Sequence, residues 1–110
     1  MNRVELLVVE ERFQLSGVGL TLVPDFSVPQ GRWRNLQEQV RIVTPDGREF
    51  EALAQFNMTH FNIRDLQVPV DRRWRIVVNL PSIQKEQVPI GSKLLVSPEA
   101  RNAVLPTAGA

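Results

Sequence analysis

The stretch Val9–Leu20, VEERFQLSGVGL, indicates the fold class of this chain. Phe13 and Leu15 alternate with polar residues, and Leu20 and Leu22 resume the alternation after a glycine-rich turn. Alternation at every second residue is typical of a β-strand with one exposed face. Glycine also tolerates the positive φ that a tight turn requires. The stretch therefore predicts a β-hairpin.

Further short strands and turn signals follow along the chain. The other predicted strands are Arg3 to Val9, Val40 to Val43, Phe50 to Phe56, Trp74 to Leu80 and Lys93 to Val96. The residues from Thr44 to Arg48, TPDGR, predict a turn, and two prolines predict a loop from Pro24 to Gly31. The pattern predicts an all-β fold, a small closed or nearly closed β-barrel of about six or seven largely antiparallel strands.

The length of 110 residues fits one domain. We expect a single β-barrel domain over 1–98 and a flexible C-terminal tail over 99–110, where residues are small, sparsely charged and aperiodic. The absence of cysteine excludes disulfides and thiolate metal sites. Together with an N-terminus that does not resemble a signal peptide, it predicts a cytoplasmic location. No apolar run approaches membrane-spanning length, so we expect no membrane partner.

Three segments resemble domain II of elongation factor Tu and related translation GTPases. Residues 9–19 resemble the opening of that barrel, where a Val-Glu-Asp-x-Phe run leads into a Gly-x-Gly turn. Residues 80–95, LPSIQKEQVPIGSKLL, resemble its closing segment, and 39–43, QVRIV, stand where the family has a Glu-Val-Glu-Ile-Val strand. The resemblance covers nearly the whole chain and implies a stand-alone barrel of this type.

The chain also departs from that family. Pro24 to Leu36 forms a longer connection than the family's short turn. The chain contains no Gly-x-x-x-x-Gly-Lys-Ser/Thr phosphate loop, so we expect it neither to bind nor to cleave GTP. In elongation factor Tu, domain II helps to hold the aminoacylated end of transfer RNA, and an acidic turn contributes. Lys85 and Glu86 match that turn, although Gln87 replaces its second glutamate.

Two clusters, RWR at 32–34 and RRWR at 72–75, interleave arginine with tryptophan. In such clusters the guanidinium can pair with phosphates and the aromatic ring can stack on bases. Trp33 lies in a predicted loop, where it either caps an end of the barrel or binds a partner. Alternation places Trp74 in the core and its neighbouring arginines on the outer face. The candidate partner-binding residues are Arg32, Trp33, Arg34, Arg72, Arg73, Arg75, Lys85 and Glu86.

No side chains suggest catalysis. His60 is the single histidine and lacks evident partners in the sequence. Glu49 and Glu51 fall on one strand face, which is ordinarily a solvated surface. We therefore predict no catalytic residues, no metal site and no cofactor, and we expect that the protein is not an enzyme.

Three functions remain open, and the oligomeric state is open as well. The sequence favours a non-enzymatic adaptor that uses the Trp33 loop or a free strand edge to bind another protein. The alternative is an RNA or ribonucleoprotein module in a translation context, which the resemblance and the excess of eleven arginines over two lysines support. The third is a cyclic-dinucleotide sensor, because 14–20 resembles the Asp-x-Ser-x-x-Gly turn of PilZ barrels, although Gln14 replaces the aspartate.

Overall fold

The computed structural model describes residues 3–17, 19–28, 33–60 and 74–105. Within them the strands are β1 Val4–Val8, β2 Glu11–Leu15, β3 Gly19–Ser27, β4 Leu36–Val43, β5 Glu49–His60, β6 Trp74–Leu80 and β7 Lys93–Val96. A 3-10 turn covers Lys85–Gln87, and the helix α1 covers Pro98–Val104. The all-β prediction is confirmed.

The strands form one antiparallel sheet that curls into a half-barrel. Its order is β1-β7-β4-β5-β6-β3-β2, so the first two strands of the chain lie at opposite edges of the sheet. Both predicted hairpins are present. In the first, Leu15 pairs with Gly19; in the second, Gly47 has a φ of 91° and its N–H donates to the Thr44 carbonyl at 2.9 Å.

The connection between β6 and β7 bridges the two edges of the sheet. The backbone of Val9, between β1 and β2, bonds to it. Arg12 Nε donates to the Val88 carbonyl at 2.9 Å, and Gln14 Oε1 accepts from the Lys85 N–H at 2.8 Å. Among the described residues, no strand ladder joins β1 to β2. The Val9 backbone and side chains of β2 therefore hold this seam of the half-barrel.

The core lies inside the curl of the sheet, on the face that alternation predicts. Its largest fully buried side chains include Phe56, Leu20, Leu22, Ile42, Ile76, Leu80, Leu94, Val40, Val78 and Val96. Burying each such side chain contributes about 1.5 to 3 kcal/mol. On β6, the predicted inward residues after Trp74 are buried as expected, while the side chain of Trp74 itself lies outside the description.

The predicted loop from Pro24 is wrong at its start, because β3 continues to Ser27. The pairing of β3 with β6 shifts register between Leu22 and Phe26. Pro24 lies within that irregularity, where its missing N–H does not interrupt a regular ladder. A proline can therefore be accommodated inside this strand.

The predicted flexible tail is also wrong for 99–104, which belong to α1. Ser97 is the N-cap, and its Oγ accepts a hydrogen bond from the Ala100 N–H at 3.1 Å. Ala100 and Val104 are four residues apart, which places both on the helix face that packs into the core. Pro98 at the start of the helix is a favourable position for that residue.

Candidate partner-binding surface

Three of the predicted site residues, Trp33, Arg34 and Arg75, lie at one end of the sheet. Trp33 and Arg34 precede β4, at the end where β5 finishes and β6 begins. His60 pairs with Trp74 there, and Arg75 follows on β6. The predicted residues Arg32, Arg72 and Arg73 lie outside the described residues.

The Trp33 ring is fixed in place by a hydrogen bond and by packing. Its Nε1 donates to the Phe56 carbonyl at 3.1 Å, and the partly buried ring packs against the core. Two residues along, Asn35 Oδ1 accepts from the Met58 N–H at 3.0 Å. These two bonds hold the start of β4 against β5. Trp33 thus covers part of the core, which fits the alternative that it caps the barrel. Its role in binding a partner stays a prediction.

An open groove of about 490 Å³ lies beside this ring. Its lining residues are Trp33, Arg34, Asn35, Leu36 and Ala103. Ala103 comes from α1, so the groove forms between the residues before β4 and the C-terminal helix. Ala103 was not predicted from the sequence. The signal that could have found it is Ser97-Pro98, which marks the start of the helix that carries it. The described lining of the groove combines an aromatic ring, aliphatic walls and one guanidinium.

Arg34 carries the charge of the groove lining. Its side chain is exposed, and within the described parts of the chain no hydrogen bond or ion pair joins it to another residue. Arg75 differs, because its Nη2 lies 3.0 Å from Asp25 Oδ1. The nearby Trp33 Nε1 and Asn35 Oδ1 already have backbone partners. Among the described residues that line the groove, Arg34 is therefore the cation available to a ligand.

Lys85 and Glu86 lie at the opposite end of the sheet, beyond the last residue of β6. They are exposed and adjoin a second open groove of about 610 Å³. Its lining residues are Gln14, Leu15, Ser16, Gly17, Gly19, Pro81 and Gln84. The predicted site residues that the structure describes therefore do not converge on one site.

Two further apolar side chains are exposed on the edge strand β2. Phe13 is 52% exposed and Leu15 is 47% exposed, and their spacing of two residues places them on one face. The sequence analysis assigned this alternation to the fold and did not consider these two residues as a surface. Nothing among the described contacts indicates what covers them.

The carboxylates of β5 are on a solvated strand face, as expected. Glu49 and Glu51 lie 3.5 and 3.6 Å from the guanidinium of Arg41. In the described part of the chain, no group of three or more His, Cys, Asp or Glu side chains is placed to hold a metal ion. The side chain of His60 lies outside the description.

No protein-family model, curated protein or solved structure matches this chain. The relationship to domain II of elongation factor Tu therefore stays a prediction. Among the described residues, no helix has the length and apolar character needed to cross a bilayer.

Proposed function

We propose that this protein is a non-enzymatic, cytoplasmic binding module whose groove beside Trp33 receives a segment of a partner protein. The observation that carries the proposal is the apolar groove that the described residues form beside Trp33, with the exposed Arg34 in its lining. Tryptophan and arginine are enriched among the residues that dominate binding energy at protein interfaces. A ring already held by the Phe56 carbonyl also loses little side-chain freedom when a partner binds.

The distribution of charge supports a protein partner over RNA. Most described arginines already pair with carboxylates: Arg3, Arg12, Arg41, Arg48 and Arg75. A nucleic-acid track needs several cations facing phosphates, whereas the described residues that line the groove supply one. RNA binding in a translation context remains the alternative, and the experiment below separates the two.

We do not extend the proposal to cyclic dinucleotides. The Gln14 side chain accepts from the Lys85 N–H at 2.8 Å and donates to the Ile83 carbonyl at 3.3 Å. These bonds engage the residue that stands where PilZ barrels carry their aspartate.

The test is capture of partners from native lysate with the tagged protein, comparing Ala103→Phe with Asn102→Phe. Ala103 lines the groove, so a phenyl ring there fills it, whereas the neighbouring Asn102 is exposed on α1 and lies outside the lining. Capture is run with and without ribonuclease and at two salt concentrations. We expect one discrete protein that resists nuclease, is lost with Ala103→Phe and is retained with Asn102→Phe.

Two other outcomes have clear meanings. Recovery that disappears with nuclease and falls steeply with salt would support the RNA alternative. A partner that Ala103→Phe captures as well as the unmodified protein does would show that the groove is not the binding site. Circular dichroism of both variants confirms that each has folded.

A further inference from the structure

We infer that the partner segment is both apolar and acidic, with a side-chain carboxylate that pairs with Arg34 next to an apolar side chain that fills the groove over Trp33. This inference rests on the proposed function and names the chemistry of its partner. The described residues that line the groove provide one aromatic surface, aliphatic walls and one cation.

Charge complementarity is the first argument. The Arg34 guanidinium is exposed at the groove and has no carboxylate partner among the described residues. A guanidinium presents a planar set of donors that matches a carboxylate in two parallel hydrogen bonds. A neutral segment would leave these donors without an anionic partner, and a basic segment would be repelled by the guanidinium.

The existing hydrogen bonds of the groove are the second argument. The Trp33 N–H is bonded to the Phe56 carbonyl, and Asn35 Oδ1 is bonded to the Met58 N–H. The Trp33 ring therefore offers an apolar surface to a ligand and no free donor. Arg34 supplies the charged recognition, while the ring provides the area that an apolar side chain covers.

A carboxylate on the same face of α1 as Ala103 limits how much negative charge the segment carries. Glu99 is exposed and lies four residues before Ala103, so the two share one face of α1. A long acidic run would bring a second carboxylate toward Glu99 and be repelled. The arrangement fits a short motif with an acidic residue close to a large apolar one.

The experiment is selection of short linear peptides from a random display library on the unmodified protein and on the variants Arg34→Glu, Lys85→Glu and Ala103→Phe. On the unmodified protein, we expect enriched peptides to carry Asp or Glu beside Leu, Ile, Phe or Trp. Arg34→Glu should replace that acidic preference with Lys or Arg at the same place. Because Arg34 is exposed, the charge reversal should leave the fold intact. Lys85→Glu, at the opposite end of the sheet, is the control and should retain the acidic preference.

Affinity measurements on one selected peptide give the contribution of its carboxylate to binding. Replacing its acidic residue by the amide should weaken binding about tenfold or more, the size expected for one charge-assisted hydrogen-bonded pair. The same replacement should have little effect on binding to Arg34→Gln. Such a loss of effect would show that the carboxylate acts through Arg34.

The possible outcomes distinguish failure of this inference from failure of the proposed function. Apolar peptides without an acidic preference, lost on Ala103→Phe, would overturn the inference and leave the groove as the binding site. The inference would also be overturned if Lys85→Glu changed the acidic preference of the peptides as much as Arg34→Glu does. If no peptide is enriched, or if every enriched peptide still binds Ala103→Phe, the proposed function is overturned and this inference with it.

Discussion

The Trp33 indole donates a hydrogen bond to the backbone carbonyl of Phe56 across 3.1 Å. Phe56 is fully buried, so this bond anchors the residues before β4 to the centre of the core. The same ring forms one wall of the groove that Ala103 closes from α1. One side chain therefore stabilises the fold and shapes the proposed binding surface, and experiments must separate its two roles.

Substitutions at Trp33 should affect stability in two steps. Trp33→Phe keeps an aromatic ring but removes the donor to Phe56, and should cost about 1 kcal/mol of unfolding free energy. Trp33→Ala also removes packing against the core, and should cost about 2 to 4 kcal/mol because the ring is only partly buried. Urea unfolding followed by circular dichroism measures both. Wild-type stability in Trp33→Ala would contradict the packing described here.

Gly19 and Gly17 provide a matched pair in one hairpin. Both have positive φ, 99° and 80°, so alanine at either position is strained by about 1 to 2 kcal/mol. A Cβ at Gly19 would also lie 2.5 Å from Pro81 Cα, whereas one at Gly17 meets nothing within 4 Å. We expect Gly19→Ala to be clearly less stable in thermal unfolding than Gly17→Ala. Equal melting temperatures would disprove the close approach of β3 to Pro81.

Glu38 should control the position of α1. Its two carboxylate oxygens accept from the Ser97 N–H at 2.9 Å and the Ser97 hydroxyl at 2.7 Å, and that hydroxyl caps the helix. Glu38→Ala should speed hydrogen exchange in α1 and weaken partner binding, although Glu38 does not line the groove. Gln37→Ala on the exposed face of β4 is the control and should change neither. Unchanged exchange in Glu38→Ala would show that other contacts hold the helix.

Acid should destabilise the protein through two carboxylates. The pKa of Glu11 is lowered from its ordinary 4.5, chiefly because the Arg12 N–H donates to it. The pKa of Asp46 is lowered from 3.8, chiefly by the Thr44 hydroxyl. A lowered folded-state pKa stabilises the folded state above the ordinary value, and that contribution is lost as pH falls through the folded-state pKa.

The matching measurement is the urea midpoint of unfolding at neutral and acidic pH. The double variant Glu11→Gln, Asp46→Asn should lose less stability on acidification than the unmodified protein does. Glu86→Gln, at an exposed carboxylate with no described ion-pair partner, is the control and should follow the unmodified protein. An identical acid response of the double variant and the unmodified protein would rule out these two groups as the source.

The strands could be predicted because their signal is local. Alternation along β5 identifies its buried residues without knowledge of the partner strands. On β6 it is wrong for Asn79, which alternation places on the exposed face but which is buried. The order of the sheet could not be predicted in the same way, because β1 pairs with β7 from the far end of the chain. The α1 helix was missed because it has few residues, although Ser97 and Pro98 carry a recognisable start signal.

The groove could be predicted only in part. Trp33 and Arg34 stand out as chemistry-bearing neighbours in a loop, and the structure places both in one groove. Ala103 carries no chemical signal, and its contribution depends on where α1 packs. Lys85 was grouped with them by the family resemblance, but the course of β6 takes it to the other end of the sheet.

The most direct test of the binding surface is a photo-activatable cross-linking residue placed at position 103, compared with one at position 84. Both positions line open grooves, at opposite ends of the sheet. After irradiation in native lysate, we predict one discrete protein adduct from position 103 and none of that size from position 84. Equal adducts from both positions, or an adduct from position 103 that contains only RNA, would contradict the account.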